Sequence, residues 1–317
     1  MNNNIDWYFI ISYPANNNNN NNIYFTYIDS SNKIINNIKY TNEENFPPFQ
    51  ILSPFKLNYN QKEIDYFTFN SEINKGFYIF SPLKNEFVLV SHSLLKFPFI
   101  FENNHFNIPN NFFNTINNFF CFSSENEQIF DNLKSLDLSV IDSNLGLEEF
   151  HSNIFNDFNY VIFNVLTNVN YDLIKVFSKI NSNVLPFEFE IRNFFKCGFY
   201  IKNDYSNKND DFIYKTDCEK SKFKLFNVNS VKLRDVIFYS KNNIENNNEK
   251  NIEIIDKSKW AVGIEKNIVC FGDFDRNVNF SNKKGNEYCF EDKDVAEFLR
   301  NIIVSYEDCE GKIKIIN

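Results

Sequence analysis

A histidine followed two residues later by a lysine can do phosphoryl chemistry on a strand, because side chains i and i+2 point the same way. The imidazole attacks phosphorus while the ammonium beside it steadies the phosphoryl oxygens. This chain has three histidines, His92, His105 and His151, and none has a lysine at that spacing. Two segments, singled out by the resemblance described below, carry the lysine without the histidine: Ile73-Asn74-Lys75-Gly76 and Lys257-Ser258-Lys259-Trp260. Ile73 has no lone pair and cannot be a nucleophile. Lys257 could in principle donate a proton, but a reference pKa of about 10.4 makes it a poor acid unless burial lowers it. His92 approaches a lysine by another route. If residues 81–85 form a simple hairpin turn, positions summing to about 167 face each other, which sets His92 opposite Lys75 on one face. His92 is then a replacement nucleophile or a satisfied structural histidine, and a slip of one residue would turn it away. Lys75, Lys259 and Arg276 could form a positive cluster suited to a phosphate backbone.

Strands must hold most of these residues. Apolar runs predict strands over 5–14, Ile23–Asp29, Glu63–Phe69, Lys75–Phe80, Glu86–Ser91 and Tyr160–Leu166. Pro82 and Asn85 mark the turn between the fourth and fifth of these. Two segments read as helices. In Tyr171–Ile180, Leu173, Ile174, Val176 and Phe177 gather on one side; in Asp292–Ile303, Val295, Phe298, Leu299 and Ile302 face inward. The asparagine run Asn16–Asn22 reads as a solvated loop tip and 242–250 as a polar surface insertion. Residues 41–56 and 96–113, with their prolines, read as irregular connections.

The 317 residues suffice for one large or two medium domains. Hydrophobic residues make up 43%, and no window approaches the roughly 18 uninterrupted apolar residues of a membrane span, so a soluble globular protein is expected. The aromatic fraction of 18%, with abundant Asn, Ile, Lys, Phe and Tyr, fits an AT-rich coding bias, and Phe in place of Leu keeps an apolar interior possible. A formal charge of −9 leans against a polyanion partner. Work at acid pH would ease that conflict, because carboxylates neutralise toward pKa values near about 4, and a local basic cleft is compatible with an acidic total. The six cysteines fit neither CxxC nor Cys/His zinc spacing and read, on their own, as free buried thiols.

Residues 254–276, IIDKSKWAVGIEKNIVCFGDFDR, resemble the C-terminal active-site block of the acid deoxyribonucleases, the DNase II family. That block reads roughly Asp-His-Ser-Lys-Trp, a short turn, then Cys-Ile/Val-Gly-Asp-x-Asn-Arg. Asp256, Ser258, Lys259, Trp260, Cys270, Gly272, Asp273 and Arg276 stand in register, while Lys257 fills the histidine slot and Asp275 replaces the Asn. The family's other motif, His-Thr-Lys-Gly, is matched by Ile73-Asn74-Lys75-Gly76. Ile5-Asp6-Trp7, Val90-Ser91-His92-Ser93, Phe177-Ser178-Lys179 and Phe226-Asn227-Val228-Asn229 extend the similarity from residue 5 to 309.

The resemblance implies an α/β (α+β) fold of two phospholipase-D-like α/β-sandwich halves, 1–150 and 151–317, related by a pseudo-twofold axis. Each half brings its motif to a shared cleft. The implied activity is acid, metal-independent endonucleolytic cleavage of DNA to 3′-phosphate ends, with no cofactor, metal or membrane involved. One histidine forms a phosphohistidine, the second protonates the leaving 5′-oxygen, and the lysines supply the positive field. Carried over, the catalytic lysines are Lys75 and Lys259, Ile73 and Lys257 are degenerate catalytic positions, and Arg276 sits at the phosphate; His92 matches a family histidine.

The resemblance also implies bridges Cys270–Cys289 and Cys218–Cys309. Cys121 matches a cysteine whose partner follows the family's signal peptide. This chain starts MNNN directly before IDWYFIISYP, so either the gene model starts too late or secretion and one bridge were lost together. An endolysosomal or secreted location is expected, and a cytoplasmic one otherwise. With both histidines replaced, the expectation is a degenerate member with little or no nuclease activity that retains anion or nucleic-acid binding. The rivals are a working phosphodiesterase remodelled around His92, Lys75 and Lys259, and a secreted scaffold or host-interaction protein that uses only the fold.

Overall fold

Strands that are apolar on both faces need cover on both, and this chain's are arranged accordingly. The computed structural model describes residues 6–14, 23–31, 34–40, 46–48, 65–70, 75–82, 85–94, 112, 115–125, 140–143, 160–179, 187–203, 216–218, 222–234, 236–239, 255–272 and 285–316. The first sheet is built from β1 (Trp7–Pro14), β2 (Ile23–Asp29), β3 (Ile34–Lys39), β4 (Asp65–Asn70), β5 (Lys75–Ser81), β6 (Glu86–His92), β7 (Thr115–Ser124) and β8 (Val140–Ser143). Their order is β3-β2-β1-β7-β6-β5-β4-β8. The second sheet begins with β9 (Tyr160–Leu166), β10 (Leu173–Lys179), β11 (Phe199–Lys202), β12 (Leu225–Leu233) and β13 (Val236–Tyr239). The chain then visits the first sheet through β14 (Ile255–Asp256), which pairs with β7 in parallel. It returns to the second through β15 (Trp260–Gly263), β16 (Ile268–Gly272), β17 (Gly285–Glu291), β18 (Ile303–Glu307) and β19 (Ile313–Ile315). The second order is β19-β18-β12-β11-β15-β16-β17-β10-β9, with β13 beside β12. Helices α1 (Phe187–Phe195) and α2 (Lys293–Ile302) accompany this sheet. Among the described residues the result is a mostly β, α/β-type sandwich without a closed barrel.

The sheets pack face to face through aromatic side chains, as aligned sheets with apolar inner faces do. Phe9 stacks on Phe271 at 4.1 Å between ring centroids, Phe120 on Phe290 at 5.3 Å, and Trp7 meets Phe290 at 4.8 Å. The alternate residues of the same strands face outward. Tyr8, Ile10, Phe77, Val90 and Phe119 form a second cluster with Phe46 and Phe112, and Phe177, Phe199, Ile201 and Cys270 form a third on the other sheet. Asp6 and Trp7 tie the first strand to the β9–β10 turn. The Asp6 carboxylate accepts from the Val169 and Asn170 amides, and the Trp7 indole donates to Asp172 at 2.9 Å.

Residues 173–179 are a strand, not the helix their apolar grouping predicts. Leu173, Ile174, Val176 and Phe177 fit both periods over so short a run, and tertiary pairing decides. β10 is hydrogen-bonded to β9 on one side and β17 on the other, so Val176 faces the inter-sheet core and Phe177 the outer cluster. The predicted helix after Asp292 is α2, whose first turn is capped by the Asp292 carboxylate accepting from the Val295 amide at 2.8 Å. Cys270–Cys289 and Cys218–Cys309 are bridged, while Cys121 and Cys197 are buried free thiols. The asparagine run and residues 242–250 lie outside the described residues.

Candidate functional site

The hairpin β5–β6 has the register expected from its turn: pairs run from Ser81–Glu86 to Gly76–Ser91, each summing to 167. Lys75 and His92 are therefore the next residues beyond the last pair. Both are buried, and His92 shares the outer face of the first sheet with Val90, its ring 5.8 Å from that of Phe119. Burial, and secondarily the Lys75 charge, hold the His92 pKa well below the ordinary imidazole value, while a backbone hydrogen bond involving Leu94 pulls the other way. The shift favours the neutral imidazole.

The second lysine segment arrives from the opposite direction. Asp256 is registered against Ile116 of β7, and the Lys257 amide donates to the Ile116 carbonyl at 2.9 Å. The Lys259 amide donates to Asn118 Oδ1 at 2.7 Å, and the Asn118 amide donates to Ser93 Oγ at 3.0 Å. At Trp260 the chain enters the second sheet, opposite Lys202 of β11. Asp256 Oδ1 accepts from the Ser258 amide at 3.0 Å and from its hydroxyl at 2.7 Å, while Oδ2 lies 3.1 Å from Lys202 Nζ. Lys202 Nζ also donates to the Asn203 carbonyl at 2.8 Å. Both motif lysines of this segment are buried, Lys257 at 5% and Lys259 at 3% exposure.

The two sheets repeat one local pattern. β5-β6-β7-β1 and β15-β16-β17-β10 are each consecutive antiparallel neighbours. Continuing the Trp260–Phe271 pairing sets Gly272 opposite Lys259, as His92 stands opposite Lys75. Asn118 and Asn286 then occupy equivalent places, beside Ile11 of β1 and Ser178 of β10 respectively. Gly272 has φ +145, and a Cβ there would lie 2.4 Å from the Asn286 carbonyl and 3.0 Å from Glu287 Oε2. Only glycine leaves room for that fully buried carboxylate. Lys179 closes β10 at the same end and is also buried. Lys75 and Lys179 are thus buried at the ends of β5 and β10, while Lys202, Asp256, Lys257 and Lys259 come together where the chain passes from β14 to β15. Lys202 is already engaged by Asp256 and the Asn203 carbonyl, whereas a buried ammonium such as that of Lys259 can hold a phosphate oxygen with little competition from water.

Ile73 and Arg276 lie outside the described residues, as do Asp273, Asp275, His105 and His151. Sequence reasoning missed Lys202, Asn118 and Glu287, and used Lys179 only as a family landmark. Polar letters inside apolar runs, as in Thr115-Ile116-Asn117-Asn118-Phe119-Phe120 and Phe199-Tyr200-Ile201-Lys202, were the available signal. Among the described residues no group of three or more His, Cys, Asp or Glu side chains gathers as a metal site would require, and no helix is long and apolar enough to cross a membrane. Residues 1–309 match the family described as Deoxyribonuclease II. No curated protein matches the chain.

Proposed function

Because the chain belongs to the deoxyribonuclease II family, we propose that it is a DNase II-like protein whose site still takes DNA phosphates but no longer cleaves them efficiently. The observation that carries this reading is the paired loss: Ile73 and Lys257 stand where the family's two histidines would. Isoleucine has no lone pair with which to attack phosphorus, and position 257 offers an amine in place of the imidazole that the family's chemistry uses. The lysines of both motifs remain, and a phosphate backbone asks for that kind of positive field. In this reading Lys75 and Lys259 hold phosphate with Arg276, and residues 1–150 and 151–317 are the two phospholipase-D-like halves of a pseudoenzyme. Two disulfides suit an endolysosomal or extracellular setting.

The test is DNA binding by fluorescence anisotropy at about pH 5 over a salt series, with Lys75→Ala/Lys259→Ala for comparison. The reading expects salt-sensitive binding whose log–log slope falls by about two in the double variant, roughly one for each phosphate no longer neutralised. No binding by the wild type would leave only the fold. A second reading, a phosphodiesterase rebuilt on His92, Lys75 and Lys259, draws on the neutral state of His92, which keeps a lone pair on one ring nitrogen. Against it stands the packing of that ring on Phe119. Acid cleavage abolished by His92→Ala in a folded variant would establish it.

A further inference from the structure

Lys202 belongs to the second sheet and Asp256, through β14, to the first. Their ion pair, 3.1 Å long with side chains 0% and 1% exposed, therefore spans the two sheets. It sits at the point where the chain leaves one and enters the other. The rest of Asp256 is occupied locally: its Oδ1 holds the amide and hydroxyl of Ser258, the residue between the two motif lysines. From the other side, the Lys259 amide is held by Asn118 of the first sheet. The turn carrying Lys257 and Lys259 is thus fixed at both ends, and Lys202 is its charged anchor on the second sheet.

An ion pair this deeply buried costs desolvation that its own attraction barely offsets, so it is a poor device for stability and a good one for fixing a geometry. We infer that Lys202 is a positioning residue: acting through Asp256, it orients the Lys257–Lys259 turn so that Lys259 faces the phosphate site, without touching phosphate itself. This rests on the phosphate-holding reading above, which places Lys259 at the phosphate.

The test is Lys202→Met/Asp256→Asn, which removes both charges and keeps an oxygen at position 256 to accept from Ser258. Lys202→Met alone would strand a buried carboxylate and confuse folding with function. Two readouts are taken on the folded protein. Acetylation of Lys259 by sulfosuccinimidyl acetate, followed by peptide mass spectrometry, should run at least about tenfold faster than in the wild type, because a released turn exposes its amine. Affinity for a 20-base-pair duplex should fall about tenfold, and the salt slope by about one, the signature of one phosphate no longer held. Unchanged labelling and unchanged affinity would overturn the inference. So would failure of the double variant to fold, since the pair would then sustain the fold rather than orient the turn. If the wild type binds no DNA, the phosphate reading fails, and faster Lys259 labelling still decides whether Lys202 orients the turn.

Discussion

Acidification below about pH 6.5 should destabilise this protein through His92 alone. In the folded state burial and Lys75 hold the imidazole neutral, well below its ordinary value of 6.5. In the unfolded chain it titrates normally. Between the two values the unfolded state binds a proton that the folded state does not, so stability rises with pH and is lost as pH falls through 6.5. The slope is at most about 1.4 kcal/mol per pH unit, approached well below pH 6.5 while the folded imidazole stays neutral. His92→Gln removes the titration while leaving the other ionisable groups in place. Urea unfolding of both proteins at about pH 7, 6 and 5 separates the pH-independent packing change from the pH-dependent part. The unfolding free energy of the wild type relative to the variant should fall on acidification, by no more than about 1.4 kcal/mol per pH unit. A difference that stays flat, or an NMR titration placing His92 at or above its ordinary value, would refute the reasoning. The point is sharp in a family of acid nucleases, because a residue that opposes acid stability sits beside the first motif lysine.

Three further outcomes follow from the same geometry. Asp256→Ala leaves Lys202 buried without its carboxylate and should cost about 3–5 kcal/mol in urea unfolding, far more than the charge-free double variant. Gly272→Ala places a Cβ 2.4 Å from the Asn286 carbonyl at φ +145, and should cost at least about 1–3 kcal/mol, read as a lowered unfolding midpoint. Burial pushes the Cys121 thiol up to about 12, so Cys121 should resist iodoacetamide at about pH 8 until the protein unfolds.

How much of this was legible in the chain depended on whether the signal was local. The β5–β6 register followed from one turn, because Pro82 and Asn85 set where the strands reverse and period-two burial does the rest. Helix α2 followed from its cap and its apolar stripe. Leu173–Lys179 was misread because seven residues cannot distinguish the two periods, and the neighbours that make β10 central, β9 and β17, lie on opposite sides of it in sequence. The two bridges were reached through resemblance alone, since six cysteines without a spacing rule allow many pairings. Lys202 was marked only as a polar letter in an apolar run, and neither its pairing with Asp256 nor the crossing of β14 to β7 had a local sign. They exist because two sheets meet, and no window of sequence contains both partners.

The central claim is that the phosphate-holding half of the site survived and the chemical half did not. Nicking of supercoiled plasmid at about pH 5 in EDTA, with the wild type beside Lys259→Ala, tests it most directly. Neither protein should nick more than the buffer control, while the wild type binds the plasmid in a salt-sensitive manner. Turnover by the wild type that Lys259→Ala abolishes would contradict it.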